Sequence, residues 1–417
     1  MTRWTRKYAK RMFLRSLEGL QGGFLELICP EATYVFGDPT AELRAMAVVH
    51  DERLFVRAVT GADVGIGESY MDGDWTSPDP VSLVRLCTRN LRSLDTKNPL
   101  VSGLRRLAAR FRHRLRDNNL EGSQKNIRAH YDLGNDLYAL FLDQEMQYSA
   151  AYFSDENESL EQAQRNKMDL LCRKLQLEPG DRVLEIGCGW GSLAIFAARN
   201  YGARVTGLTI SPAQFEYASG KVSRADLGLG RVEILLKDYR SLQGQYDKIV
   251  SVEMFEAVGL DRYDEFFAAC EQLLAPQGSL LLQTITMPEQ ELRDYRRRVD
   301  WIQTYIFPGC ELAFVGEVQK SLARATSMSL SDLESLGFHY AKTLTHWRER
   351  FFRRLGDVQA LGFDERFQRM WNFYLAWCEG AFRERYINVV QLLCEKRGAP
   401  KRPLANIGYP PRAVASP

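Results

Sequence analysis

Residues Val183–Gly191 read VLEIGCGWG. An apolar run ends in a glutamate, and glycine then takes every second position. The run suits a buried strand, and the glycines suit a tight loop whose backbone approaches a ligand with no Cβ in the way. Downstream, SLAIFAARNYG (192–202) is helical and stops at Gly202, and ARVTGLTIS (203–211) is a strand. SPAQFEYASGKVSRADLG (211–228) opens with Ser211 and Pro212, an N-cap and N1 pair that starts a helix. RVEILLKDY (231–239) is a strand, and YDKIVSVEMFEAVG (246–259) is a strand running into a loop. YDEFFAACEQLLAPQG (263–278) is a helix ended by proline and glycine, and SLLLQTIT (279–286) is another strand. This alternation predicts an α/β, Rossmann-like domain with a mostly parallel sheet covered by helices. Ligands in such sheets bind at the carboxyl ends of the strands.

The chain has 417 residues, 45% hydrophobic and 26% charged, with a net charge of +2. That balance fits two or three globular domains and excludes a polycation. No stretch approaches the roughly 18 consecutive apolar residues of a spanning helix. The basic start, MTRWTRKYAKRMFLRSLEGL, lacks the apolar core and small-residue site of a signal peptide. Eight cysteines without a CxxC pair point to reduced thiols in a cytoplasm and give no zinc site. Residues 1–95 read as a small α+β module. Within it LFVRAVTGADVGIGESYMDGDW (54–75) suggests strands and turns, and PVSLVRLCTRNLRSL (80–94) a helix. Residues 96–126, with Arg105, Arg106, Arg110, Arg112, Arg114 and Arg116, read as a linker. Residues 127–400 then form the α/β domain, and 401–417 a proline-rich disordered tail.

The acidic residue before the glycine loop narrows the ligand. A dinucleotide loop presents G-x-G-x-x-G to a pyrophosphate, which a carboxylate would repel. Here Glu185 precedes Gly187, Cys188, Gly189 and Gly191. A carboxylate suits the ammonium of an amino-acid tail, which favours S-adenosylmethionine over NAD. Asp238, with Tyr239 beside it, ends the third strand, where a polar group reaches an adenine amino group; capping a turn is the alternative role for Asp238. Thr209, Ser211 and Gln214 follow the second strand near a ribose position. No acid ends that strand, and Gln214 is the candidate substitute.

The flanks carry a resemblance. IRAHYDLGNDLYALFLDQEMQYSAAYF precedes the glycine loop; IVSVEMFEAVG, LLQTIT, YIFPGCEL, GFHYAKTLTHWRERF and YLAWCEGAFRERYINV follow it. In this order and spacing the chain resembles the cyclopropane-fatty-acyl-phospholipid synthase family, which includes mycolic-acid cyclopropane synthases, over about 125–395. Residues 1–95 are similar, more loosely, to the lipid-binding module of its phospholipid-acting members. The resemblance implies a class I S-adenosylmethionine methyltransferase that transfers a methyl(ene) group to the cis double bond of acyl chains in membrane phospholipids. A carbocation forms, a base removes a proton, and the ring closes. Aromatics can shield the cation; candidates are Tyr131, Tyr148, Tyr152, Phe153, Tyr305, Phe307 and Tyr340, and Tyr340 matches a family active-site tyrosine. Tyr148 and Ser149 join the cofactor-binding set by the same resemblance.

The family pocket holds bicarbonate as its base, gripped by backbone amides, a cysteine, a glutamate, a histidine and a tyrosine. By position the glutamate is Glu256, the tyrosine Tyr340, and Ile285 offers its backbone. The cysteine position is Ala150 and the histidine position Gln283, while Ala257 replaces the histidine that usually follows the glutamate. Gln283 donates a hydrogen bond but shuttles no proton. Bicarbonate held weakly, replaced by water, or absent are all open, and Glu256 is then a candidate base if burial raises it. A methyl-branched or methyl-alkene product is the alternative to a ring, and a non-catalytic lipid-binding homologue is a further alternative. Cys378 matches a second family cysteine, or is a buried structural thiol. The basic runs, including Arg3, Arg6, Lys7, Lys10, Arg11 and Arg15, suit anionic headgroups. QELRDYRRRVDWIQTYIFPG (290–309) would form a lid over the acyl channel. A cytoplasmic, peripherally membrane-bound homodimer is expected, with no metal and no nucleic-acid partner.

Overall fold

The computed structural model describes residues 3–91 and 133–400. The expected linker at 96–126 with its arginines, the tail at 401–417, and Tyr131 lie outside the described residues. The chain forms two compact units. One gathers residues 1–142, 286–311 and 337–388; the other gathers 143–285, 312–336 and 389–417. Each unit is assembled from stretches that are not contiguous in the chain, and residues 286–311 and 337–388 fall in the same unit as the N-terminal residues.

In the first unit, β1 (Phe24–Ile28), β2 (Thr33–Gly37), β3 (Arg44–Val49) and β4 (Trp75–Thr76) form a sheet in the order β2-β1-β3-β4. β1 runs antiparallel to β2 and parallel to β3. The helix Glu365–Arg383 packs on the helices Pro80–Arg89 and Gly337–Arg353. Gly380 permits that closeness, since a Cβ there would lie 2.6 Å from Val84.

Residues 54–75 correct the sequence reading. They are mostly a helix, Arg53–Met71, bent where Ala62 takes φ 47°. Its glycines and β-branched residues suggested turns and strands, but Gly67 serves close packing: a Cβ there would lie 2.3 Å from the Trp301 ring. Buried Asp74 ties the helix together, accepting from Arg53 (2.6 Å), Arg57 (3.2 Å) and Ser69 (3.0 Å). Tertiary contacts thus override propensity.

In the second unit, β5 (Arg182–Ile186), β6 (Arg204–Thr209), β7 (Arg231–Leu236), β8 (Tyr246–Val252), β9 (Leu274–Thr286), β10 (Ser329–Ser335) and β11 (Asn388–Glu395) form one sheet, ordered β10-β11-β9-β8-β5-β6-β7. β9, β8, β5, β6 and β7 run parallel, and β10 pairs antiparallel with β11. Val183, Val205, Val250, Leu281 and Leu393 pack with Leu171 and Ala194 in its core. The chain runs from β5 outward to β7, then returns to β8 on the other side of β5. The order of strands thus reverses between β5 and β8, and a ligand crevice is expected where those two strands end.

Gly67→Ala gains about 1 kcal/mol of helix propensity. The clash with the buried Trp301 ring outweighs it, for a net loss of roughly 1–2 kcal/mol. A urea midpoint equal to that of the wild type would refute this packing role.

Candidate active site

The loop after β5 supplies the first half of the site. Gly187, Gly189 and Gly191 take φ of 82°, 52° and 81°, conformations that favour glycine. The amides of Gly187 and Cys188 both donate to the Leu208 carbonyl (3.0 and 2.8 Å), which fixes the loop to β6. Two of the glycines answer to protein packing: a Cβ on Gly187 would lie 2.7 Å from Met254, and one on Gly191 3.1 Å from Ala218. A Cβ on Gly189 would meet nothing within 4 Å, so that side of the loop is open. Cys188 is buried, which pushes its thiol up.

Glu185 is 4% exposed, and its Oε2 has no hydrogen-bond partner. Burial pushes it up to about 8, against the opposing pull of Lys167. Lys167 was missed in the sequence. It is fully buried on the helix Leu160–Lys174 and donates to Gln147 Oε1 (2.5 Å) and Ser149 Oγ (2.9 Å). Burial lowers it to about 8, while Glu253, Asp143 and Glu185 hold it up. A buried carboxylate with one orphaned oxygen beside an open glycine loop fits S-adenosylmethionine, whose ammonium would satisfy that oxygen. Tyr148 is half-buried next to Ser149.

The remaining cofactor candidates lie after β6 and β7. Thr209 Oγ1 donates to Gln214 Oε1 (3.0 Å), and the Ser211 amide donates to Thr209 Oγ1 (3.1 Å). Ser211 caps the helix Pro212–Arg224, as its sequence predicts. Asp238 caps the turn Tyr239–Ser241 and also grips the Arg240 guanidinium at 2.9 and 2.8 Å. Burial works to raise Asp238, but the hydrogen bonds from Arg240 win and hold it below the usual range. The Tyr239 ring lies 5.4 Å from that of Phe266, and burial pushes its hydroxyl up.

The loop after β8 and the end of β9 supply the second half. Glu256 Oε1 accepts from the Ile285 amide (2.5 Å) and Thr284 Oγ1 (2.9 Å), while its Oε2 is buried without a hydrogen-bond partner. Burial, reinforced by the Glu253 charge, pushes Glu256 up to about 7. Glu253 was not singled out from sequence. Its Oε1 accepts from the Ala150 amide (2.8 Å) and from Gln283 Nε2 (2.8 Å). Gln391 Nε2 in turn donates to Gln283 Oε1 (2.9 Å), which fixes the amide's orientation. Ala150, Gln283, Ile285 and Glu256 are therefore brought together around Glu253. Bicarbonate does not fit these donors: the Ala150 amide and the Gln283 side chain already serve a carboxylate of the chain itself.

Tyr340 and Cys378 belong to the other unit. Tyr340 is 6% exposed, packed 4.6 Å from the Phe382 ring and edge-on to Trp347 at 5.9 Å. Burial, with Asp300 nearby, pushes the Cys378 thiol up. Tyr305 donates to Glu68 (2.6 Å), and Phe307 packs against Tyr374. No group of side chains suited to a metal occurs among the described residues.

Glu256 gives a pH-dependent prediction. Its folded value, about 7, lies above its ordinary 4.5, so the wild type loses stability as pH rises between them. Glu256→Gln carries no such penalty. Its stability relative to wild type should rise by a few kcal/mol between about pH 5 and about pH 8. Denaturation curves at both pH values check this; a constant difference would contradict it.

Residues 118–392 match the family model described as mycolic acid cyclopropane synthetase. The chain is 43% identical to the tuberculostearic acid methyltransferase UfaA1 of Mycobacterium tuberculosis over 345 residues, covering 81% of this chain and 80% of that one. It is 39% identical to the cyclopropane-fatty-acyl-phospholipid synthase of Escherichia coli over 375 residues, covering 88% and 91%. The solved cyclopropane synthase MmaA2 from Mycobacterium tuberculosis superposes with a TM-score of 0.61 at 35% identity, over 66% of this chain and 98% of that one. The mycolic acid cyclopropane synthase CmaA1, solved with SAH and CTAB, gives the same TM-score at 36% identity over the same shares. With the Rossmann-like sheet and the glycine loop, these likenesses place the chain in the mycolic acid cyclopropane synthetase family, as an S-adenosylmethionine-dependent methyltransferase.

Proposed function

We propose that this enzyme transfers a methyl(ene) group from S-adenosylmethionine to the cis double bond of unsaturated acyl chains in membrane phospholipids and closes a cyclopropane ring. The observation that carries the reading is the pair of carboxylates, Glu253 and Glu256, at the ends of β8 and beside the loop that follows β5. An alkene is a poor nucleophile with no proton to lose before attack, so a base is needed only after the methyl has been added. The bound cofactor supplies a sulfonium-activated methyl group. Glu185, Gly187, Gly189 and Gly191 would hold its amino-acid end. Thr209, Ser211 and Gln214 would lie by its ribose, and Asp238 and Tyr239 by its adenine. Tyr148 and Ser149 would cover it. The first unit would meet the lipid, with the exposed stripe of Lys7, Arg11 and Arg15 against anionic headgroups. Lys10 does not join that stripe, since it is buried and pairs with Glu31 and Glu52. No helix among the described residues is long and apolar enough to cross a membrane, which agrees with peripheral attachment. A cytoplasmic homodimer completes the reading.

A second reading keeps the methyl transfer but ends in a methyl-alkene or methyl-branched chain. It is favoured by Ala150 and Gln283, which depart from the cyclopropanating pattern, and by the name of the 43%-identical relative.

Expression in a host lacking such an enzyme, with methyl-deuterated methionine, separates the readings by mass spectrometry and NMR of the lipids. A ring retaining two of the three methyl hydrogens is the expected product. An exocyclic methylene, or an intact labelled methyl branch, would instead establish the second reading. Folded, cofactor-binding protein that leaves every lipid unlabelled would sink both.

A further inference from the structure

Glu253 stands apart from every other residue of the site. It is a non-glycine residue at φ 50°, in the left-handed region, at the turn between β8 and the Phe255–Ala257 segment. Such a conformation costs about 1–3 kcal/mol and persists where the surroundings fix it. Here they do. Its own amide donates to the Gln283 carbonyl (2.7 Å), and its carboxylate receives the Ala150 amide and the Gln283 side chain. Gln283 is completely buried and is held in turn by Gln391. The strained backbone thus delivers one carboxylate oxygen onto two fixed donors.

The neighbours divide the roles of the two glutamates. Two carboxylates in one buried pocket do not both ionise easily. Glu256 is pushed up by burial and by Glu253, so near neutral pH Glu256 tends to carry the proton. Glu253 has the buried Lys167 ammonium in electrostatic reach and two N–H donors, all of which favour a charge there. The Ala150 and Gln283 positions are where the resemblance placed the partners of a bound bicarbonate, and their donors are spent on Glu253.

We propose that Glu253 is the catalytic base of this enzyme, a carboxylate built into the chain that does the work of a bound anion. The inference rests on the methyl-transfer reading above. Once the methyl is joined to one alkene carbon, its neighbour is a cation. Glu253 accepts a proton from the new methyl group, and the C–H electron pair becomes the third C–C bond of the ring. If a hydride has first moved to the cationic carbon, the same pair becomes a C=C bond instead. Glu253 leaves the step as a carboxylic acid and later returns its proton to solvent. No oxidant, reductant or further reactant is needed.

The test uses the full chain, vesicles of cis-unsaturated phosphatidylglycerol, and S-adenosylmethionine in buffer freed of carbonate. Wild type should turn over at the same rate with and without added sodium bicarbonate. Glu253→Gln should lose about 100-fold or more in turnover, the range for a general base, while its cofactor affinity, read by calorimetry, stays unchanged. Glu253→Gly relieves the backbone strain and should fold at least as stably. It should be slow alone and recover when bicarbonate is supplied. Turnover of Glu253→Gln within about threefold of wild type would overturn the proposal. So would a wild-type rate that falls when carbonate is removed. If wild type itself makes no product on any lipid, the methyl-transfer reading fails and this one with it. Product from wild type, with Glu253→Gln equally active, removes this proposal alone.

Discussion

Burying charge without water is costly, and the second unit does so around the Lys167 ammonium. Lys167 lies fully buried within electrostatic reach of Asp143, Glu185 and Glu253. An ion of either sign loses several kcal/mol on leaving water and recovers it only through partners. Two of these carboxylates have fixed donors: Asp143 takes the amides of Glu145 and Gln147, and Glu253 the amide of Ala150. Lys167 binds Gln147 and Ser149, the residues next to that Ala150 amide. One cation therefore organises the segment 143–150, the end of β5 and the turn after β8. These meet where the strand order reverses, which is where the topology makes a crevice.

Local signals in the sequence were legible because local physics decides them. Gly202 ends its helix at φ 68°, and Ser211 with Pro212 starts the next, as glycine, serine and proline chemistry require. The parallel strands read as continuous apolar runs because helices cover them. Arg53–Met71 was illegible for the opposite reason. Its Gly67 is spent on approach to Trp301 and its bend falls at Ala62, neither of which leaves a periodic trace.

The site divides the same way. The glycine loop announced itself by composition, and Glu256, Gln283 and Ala150 were found through motif position. Glu253 sits three residues before Glu256 and passed as the end of a strand. Nothing in VEMFE tells a solvated glutamate from one turned inward, because a positive φ at a non-glycine residue has no compositional mark. Lys167 was hidden likewise, since a lysine within KMDLLCRK reads as the polar face of an amphipathic helix. Burial of a charged side chain is decided by what packs over it, and single-sequence periodicity carries no record of that.

The charge balance also bears on why this crevice would prefer a cationic cofactor. Around Lys167 there are more carboxylates than ammonium groups, and burial raises Glu185 to about 8 and Glu256 to about 7. Protonation is how the protein alone settles that excess near neutral pH. An ammonium placed against the orphaned Glu185 oxygen settles it differently, by pairing with the ionised carboxylate. A pyrophosphate in the same place would add negative charge where it is already in surplus. The acidic residue before the glycines, the unpartnered oxygen and the buried lysine therefore all bear on one discrimination, between a cationic methyl donor and a dinucleotide. Backbone geometry alone leaves that choice open, because a glycine-rich turn after a parallel strand serves both ligands.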